Sequence, residues 1–70
     1  MLRQPVTSSD IRAIGYDKHS LTLEIEFNRG GLYEYANVPE AVYRGLMSAS
    51  SHGKYFHQYI RDKYETRKLA

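Results

Sequence analysis

Residues 21–27 carry the clearest pattern in the chain, a strict alternation of apolar and polar side chains. Leucine, isoleucine and phenylalanine take the odd positions, and threonine or glutamate the even ones. Because successive side chains of a strand point to opposite faces, the segment is predicted to be a half-buried antiparallel strand. Residues 10–16 alternate less regularly and predict an earlier strand, in which Gly15 marks a bulge or a close backbone approach.

A glycine-rich turn follows the alternating strand, and its length decides which side chains of the next strand are buried. A three-residue loop, 28–30, with its glycine in the left-handed region places Tyr33 opposite Ile25 and Tyr35 opposite Leu23. A two-residue loop would turn both tyrosines outward. We favour the three-residue loop because it buries both rings.

A first helix is predicted to begin at Pro39, because proline at the first helical position loses no hydrogen bond. Gly45 lies inside this helix, where glycine costs about 1 kcal/mol relative to alanine, so we expect another element to approach closely there. The apolar residues recur along one stripe at Val38, Val42, Leu46 and Ala49.

Residues 50–53 break the helical pattern, and a second helix is predicted from Lys54 to about Lys68. The predicted fold class is therefore α+β, a three-stranded antiparallel meander followed by two helices packed on one face. Residues 1–8 have no periodicity and are expected to form a flexible N-terminal arm, whereas residues 9–70 form a single domain.

The composition of the chain excludes several classes of protein. Seventy residues are enough for one domain, and the lack of cysteine excludes disulfides and thiolate metal sites. No apolar run approaches the roughly 20 residues that a membrane helix needs, and the first residues lack the apolar core of a signal peptide. We therefore expect a cytoplasmic protein that does not bind membranes.

The residues that could support catalysis are poorly arranged for it. Ser51 and His52 are adjacent, so their side chains are not expected to point at one another, and no carboxylate is placed to orient the imidazole. The histidines lack the i, i+4 spacing of a zinc site. Glu24 and Glu26 share a strand face without an apolar pocket. We expect no enzymatic activity, no metal, no cofactor and no small-molecule substrate.

Charge is distributed unevenly along the chain. Five basic and six acidic residues precede position 52, and five basic and two acidic residues follow from there, so the net charge changes from −1 to +3. A basic end attracts phosphate backbones, although such an end is often only the solvated part of a helix. The basic residues of interest here are Lys54, Arg61 and Lys63, which the pattern places on the predicted second helix.

The start of that helix is a candidate anion site. Ser51 is predicted as its N-cap. Gly53 would allow a ligand to approach the backbone closely, and Lys54 would add a positive charge near the free backbone amides. The simpler interpretation is an ordinary helix cap with a lysine in solvent. Next to it, Tyr55 is a candidate exposed ring, because it lies off the apolar stripe of the helix.

Several short segments together resemble the KTSC domain family over about residues 9–64. They are, in order, Ser9-Asp10-Ile11, Ile14-Gly15-Tyr16-Asp17, Leu21-x-Leu-x-Ile-x-Phe27, Tyr33-Glu34-Tyr35, Val38-Pro39 with Val42-Tyr43, and Ser51-His52-Gly53-Lys54-Tyr55-Phe56 with Ile60-Arg61. The chain departs from the family pattern at His57, where asparagine is expected. The resemblance implies a domain found at the C-terminus of some lysyl-tRNA synthetases and as short bacterial proteins, with no established activity and a suggested role in RNA binding.

Two hypotheses remain open from the sequence. The first is a weak RNA-binding module, with tRNA or single-stranded RNA as partner, that uses the basic C-terminal helix and the anion site at its start. The second is a protein-interaction or self-association module that uses a sheet edge or the open sheet face. We favour the first.

Overall fold

The computed structural model describes the whole chain, residues 1–70. Five strands form one antiparallel sheet in sequence order, and two helices are inserted between the fourth and fifth strands. The strands are β1 (Arg3–Pro5), β2 (Ile11–Asp17), β3 (Thr22–Phe27), β4 (Leu32–Tyr35) and β5 (Thr66–Lys68). The helices are α1 (Glu40–Ser48) and α2 (His52–Tyr59).

The hairpin between β3 and β4 has the predicted register. Leu23 lies opposite Tyr35, and Ile25 lies opposite Tyr33. The loop is closed by a 3.1 Å hydrogen bond that the Phe27 amide donates across it. Gly30 in the loop and Gly31 directly after it have positive φ angles, 101° and 98°, a region that glycine enters without steric cost. The three-residue loop and its burial of the aromatic face are thus confirmed.

The predicted meander is present as β2, β3 and β4, but the sheet has two further strands that the sequence analysis missed. β1 lies within the segment expected to be a flexible arm, and β5 lies within the segment expected to be helical. Each has only three residues, all of them exposed. Such edge strands show no apolar alternation because their stability comes from backbone hydrogen bonds to the neighbouring strand and not from burial.

The second helix is shorter than predicted, and this is a correction. It ends at Tyr59, where the carbonyl of Phe56 accepts hydrogen bonds of 2.9 and 2.8 Å from two successive amides. Asp62 then takes the left-handed conformation, with φ 61°, which stops any further helical turn. The chain can therefore turn back and pair β5 with β4. No continuous basic C-terminal helix is formed.

One residue of the alternating segment does not belong to the sheet. The sequence pattern places Leu21 on the buried face, but β3 begins at Thr22. Leu21 is 38% exposed and has a φ of 57°. Its carbonyl accepts a 2.9 Å hydrogen bond from the Val38 amide, so it joins the β2–β3 turn to the segment that leads into α1.

Both helices cover the same face of the sheet, as predicted. The core is contributed by the inner face of the three central strands, the start of the α1 segment and the apolar sides of α1 and α2. Phe56 packs edge-on against Tyr35, with ring centroids 5.6 Å apart, and so joins α2 to the sheet. The nine buried residues of this cluster are Ile11, Ile14, Leu23, Ile25, Tyr35, Val38, Leu46, Phe56 and Ile60.

The outer face of the sheet carries carboxylates that the edge strands neutralise. Glu24, Glu26 and Glu34 lie on this face, as the hairpin register predicts. On one side, Arg3 of β1 is 2.9 Å from Glu24 and 3.9 Å from Glu26. On the other side, Arg67 of β5 is 3.0 Å from Glu34. The edge strands thus place arginines beside acidic residues that would otherwise repel one another.

Gly45 provides a test of the contact between the two helices. A Cβ at this position would overlap the hydroxyl end of the Tyr55 ring, so α2 approaches α1 closely there, as predicted. We expect Gly45→Ala to lower the free energy of unfolding by about 1–2 kcal/mol, because overpacking outweighs the gain of about 1 kcal/mol in helix propensity.

Urea denaturation measures this change. Tyr55→Phe should partly restore the stability of Gly45→Ala, since it removes the atom nearest to the added methyl group. Ala41→Gly, an exposed site on the same helix, calibrates the propensity effect alone. A Gly45→Ala protein that is more stable than the parent would contradict the expected contact.

Candidate nucleic-acid interface

An open cleft of about 640 Å³ lies where the β3–β4 hairpin meets the last turn of α2. Its aromatic lining comes from four rings, Phe27, Tyr33, Tyr35 and Phe56. The rings meet edge to face, with centroids 5.7 Å apart for Phe27 and Tyr33 and 5.4 Å apart for Phe27 and Phe56. Interlocking contacts of this kind hold the rings in place. The cleft therefore has a rigid apolar wall that remains open to solvent.

Charged side chains from distant parts of the sequence surround this aromatic wall. They are Asp10, Arg29, His57, Arg61 and Asp62. Arg61 Nη1 lies 3.5 Å from His57 Nδ1, and His57 Nε2 lies 3.8 Å from a carboxylate oxygen of Asp10. Since a guanidinium can only donate, Nδ1 is the acceptor, and the proton of a neutral imidazole faces Asp10. The rim thus combines donors and acceptors, with positive and negative charges nearly balanced.

Tyr35 is a buried aromatic residue of the cleft wall. Only 4% of the residue is exposed, and its hydroxyl is not a buried unsatisfied group. Burial raises the pKa of Tyr35 to about 12, and the neighbouring Tyr33 and Asp62 act in the same direction, whereas Arg61 opposes them. Tyr35, Arg61 and Asp62 line the same cleft.

The start of α2, where the sequence predicts an anion site, has the predicted N-cap. Ser51 is the N-cap, and its hydroxyl accepts a 3.2 Å hydrogen bond from the Lys54 amide. Gly53 is a position of close approach, but the group that approaches is the carboxylate of Asp10, whose oxygen would lie 2.9 Å from a Cβ at residue 53. A carboxylate of the chain itself therefore already lies against this turn, while the Lys54 side chain extends into solvent.

The remaining predicted site residues do not form one surface. Tyr55 is not the exposed ring that its position suggested, because it packs against α1 at Gly45 and against Tyr59, with ring centroids 4.6 Å apart. Arg61 lines the cleft, whereas Lys63 is exposed in the turn after α2 and does not line it. Of the six predicted residues, only Arg61 belongs to the aromatic cleft.

His52 has a structural contact that the sequence did not reveal. Its Nδ1 donates a 2.8 Å hydrogen bond to the carbonyl of Leu46, in the last turn of α1. The last carbonyls of a helix lack intrahelical partners, so this imidazole caps α1 and holds the junction between the helices. The adjacent Ser51 hydroxyl is occupied by the cap of α2. The two side chains thus serve opposite helix ends.

A second, shallower depression lies at the other end of β3, where Tyr16 stacks on Tyr43 with centroids 4.6 Å apart and planes 8° apart. Tyr16 donates a 2.5 Å hydrogen bond to the carbonyl of Val38. Burial raises its pKa, and the charges of Glu40 and Asp17 add to this effect. These contacts join β2 to α1, and we assign them to packing.

The chain has neither a group of three or more His, Asp or Glu side chains that could hold a metal ion nor a helix long and apolar enough to cross a bilayer.

The residues of the cleft are difficult to identify from sequence because Asp10, Tyr33 and Arg61 are far apart along the chain. The signals that could have identified them are the Tyr-x-Tyr pair and the unexpected His57.

Comparison with known proteins identifies the chain's relatives. The family model of the KTSC domain matches residues 7–64. An uncharacterized protein of Stutzerimonas stutzeri is 39% identical, over 91% of this chain and 90% of that protein. A lysine–tRNA ligase of Nostoc sp. is also 39% identical over 89% of this chain, which spans 11% of the ligase. The crystal structure of a KTSC domain protein from Yersinia pestis superimposes with a TM-score of 0.96 at 45% identity, covering 99% of this chain and 97% of that one.

The raised pKa of Tyr35 predicts a loss of stability in alkali. The unfolded chain ionises this phenol near pH 10, whereas the folded chain retains the proton until about pH 12. The folded state therefore binds more protons between these values, so its free energy of unfolding falls as pH rises, by at most about 1.4 kcal/mol per pH unit. Below pH 10 this group has no effect.

Denaturant unfolding from pH 8 to pH 11 measures the slope. Tyr35→Phe should be less sensitive to alkali than the parent, whereas Tyr59→Phe, which alters a half-exposed ring outside the cleft, should behave like the parent. Equal slopes for all three proteins would contradict the raised pKa of Tyr35.

Proposed function

The chain belongs to the KTSC domain family, a domain also found in lysine–tRNA ligases, and on that premise we propose that it is a small non-catalytic module that binds RNA weakly. The observation that carries this proposal is the cleft, which is lined by two arginines and by partly exposed aromatic rings. Proteins commonly bind unpaired bases by stacking them on aromatic or guanidinium planes while cations contact the phosphates. Arg29 and Arg61 supply the cations here, and Tyr33 supplies a partly accessible ring.

The charge balance of the cleft argues for weak binding. Asp10 and Asp62 offset the two arginines, so little net positive charge faces a phosphate backbone. The expected dissociation constant is about micromolar at low salt and increases as salt is added, because each phosphate contact releases condensed counterions. We place the protein in the cytoplasm, where such a ligand is available.

The names of the relatives support RNA as the ligand more than a protein partner. The ligase from Nostoc acts, by its name, on a tRNA, and it contains a segment similar to this chain. Both edge strands have three residues, which offer few backbone groups for the addition of a partner strand. A protein-interaction or self-association module therefore remains the second hypothesis.

Charge reversal at the cleft tests the proposal. We expect Arg61→Glu to weaken the binding of bulk tRNA about tenfold, because it removes a phosphate or stacking contact and adds repulsion. Lys54→Glu should cause a smaller loss, since Lys54 lies outside the cleft. Amide chemical-shift titrations at low and moderate salt measure both affinity and surface.

Lys18→Glu is the matched control, because Lys18 is exposed at the opposite end of β3 and the substitution changes the charge by the same amount. An equal loss in all three variants would mean that only net charge matters. A larger loss for Lys54→Glu would move the site to the start of α2. Absence of binding at low salt, or a concentration-dependent dimer in its place, would favour the second hypothesis.

A further inference from the structure

Three side chains form a row along the rim of the cleft, from Asp10 through His57 to Arg61. Asp10 lies just before β2, His57 lies in the last turn of α2, and Arg61 follows that helix. His57 Nε2 is 3.8 Å from a carboxylate oxygen of Asp10, and His57 Nδ1 is 3.5 Å from Arg61 Nη1. The imidazole therefore lies between an anion and a cation that line the same cleft.

Backbone hydrogen bonds hold the two ends of this row in place. The Asp10 amide donates a 3.2 Å hydrogen bond to the Ser8 hydroxyl, and the Asp10 carbonyl accepts one of 2.9 Å from the Asn28 amide. The Arg61 amide donates a 2.8 Å hydrogen bond to a carbonyl in the last turn of α2. None of these bonds uses the side chain of Asp10 or Arg61. Both side chains can therefore respond to a charge on His57 while the backbone stays in place.

The charge state of the imidazole decides which neighbour it can bind. In the neutral ring, Nδ1 accepts from the guanidinium of Arg61, and the Nε2–H group faces the carboxylate of Asp10. A protonated ring donates from both nitrogens, so its Nδ1–H group opposes the N–H groups of Arg61 and two positive charges lie side by side. The carboxylate, in contrast, gains a charge-assisted partner. Histidine ordinarily changes its charge between about pH 5 and 8.

The remaining charged groups around His57 determine what its protonation does to the cleft. Arg29 and Asp62 line the same cleft, and Lys54 lies one turn earlier on α2 with its side chain in solvent. His52, also on α2, is directed at α1, where it hydrogen bonds to a carbonyl. With the imidazole neutral, the two arginines and two aspartates of the cleft give no net charge. Protonation of His57 changes this balance to +1.

We propose that His57 is a pH-sensitive switch: its protonation pairs it with Asp10, releases Arg61 and thereby strengthens the binding of an RNA phosphate backbone. This inference rests on the proposed RNA binding and adds a regulation to it. The released guanidinium has Asp62 as an alternative partner, 3.8 Å from its Nε atom, but that carboxylate is 90% exposed. Exposed ion pairs contribute little, whereas a phosphate accepts two parallel hydrogen bonds from a guanidinium.

The test measures the affinity of the intact protein for oligouridine at pH 7.5 and at pH 5.5, because uracil does not titrate in that range. We expect the dissociation constant of the parent to be about fivefold smaller at the lower pH, the size of one charge interaction at a solvated surface. The slope of log affinity against log salt should become steeper by about 0.7, the value for one more phosphate contact on a single strand. His57→Gln, which keeps a polar side chain that does not titrate, should lose both changes.

His19→Gln is the matched control, because His19 is an exposed histidine outside the cleft, and this variant should keep the response to pH. Asp10→Asn should bind more tightly than the parent at pH 7.5, since it gives the cleft a charge of +1 and retains the backbone hydrogen bonds of residue 10. Equal responses to pH in the parent and His57→Gln, or equal losses in His57→Gln and His19→Gln, overturn the switch and leave RNA binding intact.

A second measurement does not depend on RNA. In the free protein, the guanidinium carbon resonance of Arg61 should shift with the same midpoint as the imidazole of His57, and the shift should be absent in His57→Gln. An Arg61 resonance that does not follow the imidazole overturns the switch. A resonance that follows it in a protein that binds no RNA at either pH supports the release of Arg61 and overturns the proposed RNA binding.

Discussion

The pairing of Tyr35 with Leu23 across the β3–β4 hairpin is the constraint on which the rest of the structure depends. A register shifted by one residue would move every side chain of β4 to the opposite face. Tyr35 would then leave the core, Phe56 would lose one of its aromatic partners, and α2 would lose part of the apolar surface that it covers. The loop glycines allow the observed register because their positive φ angles cost glycine nothing.

The same register places carboxylates close together on the outer face, and arginines of the edge strands offset their repulsion. Glu24 and Glu34 lie directly opposite one another, and like charges in that arrangement are destabilising. Arg3 and Arg67 flank this pair from β1 and β5. Because the Glu24 side chain is only 14% exposed, its ion pair should contribute more than a fully solvated one. The short edge strands thus link sheet pairing to charge compensation.

The cleft exists because α2 stops early. A helix continued to residue 68 would have kept Arg61 and the later basic residues on one helix. Instead, Asp62 in the left-handed conformation turns the chain back toward β4, and Thr66 of β5 completes the lining of the cleft. The end of the helix therefore places Arg61 at the aromatic wall of the cleft, where charge and aromatic surface meet.

The sequence by itself determined the elements that bury side chains: β2, β3, β4, the presence of two helices, the Ser51 cap, the hairpin register and the close approach at Gly45. A buried strand or helix has a periodic pattern of apolar residues, and a turn needs residues that adopt particular backbone conformations. Buried elements and turns can therefore be predicted from short segments of sequence. Only the tertiary structure decided β1, β5, the end of α2 and the cleft residues Asp10, His57 and Asp62. Exposed edge strands leave no apolar period, and a site assembled from distant segments has no local signal, because its geometry depends on contacts that form only after the chain has folded.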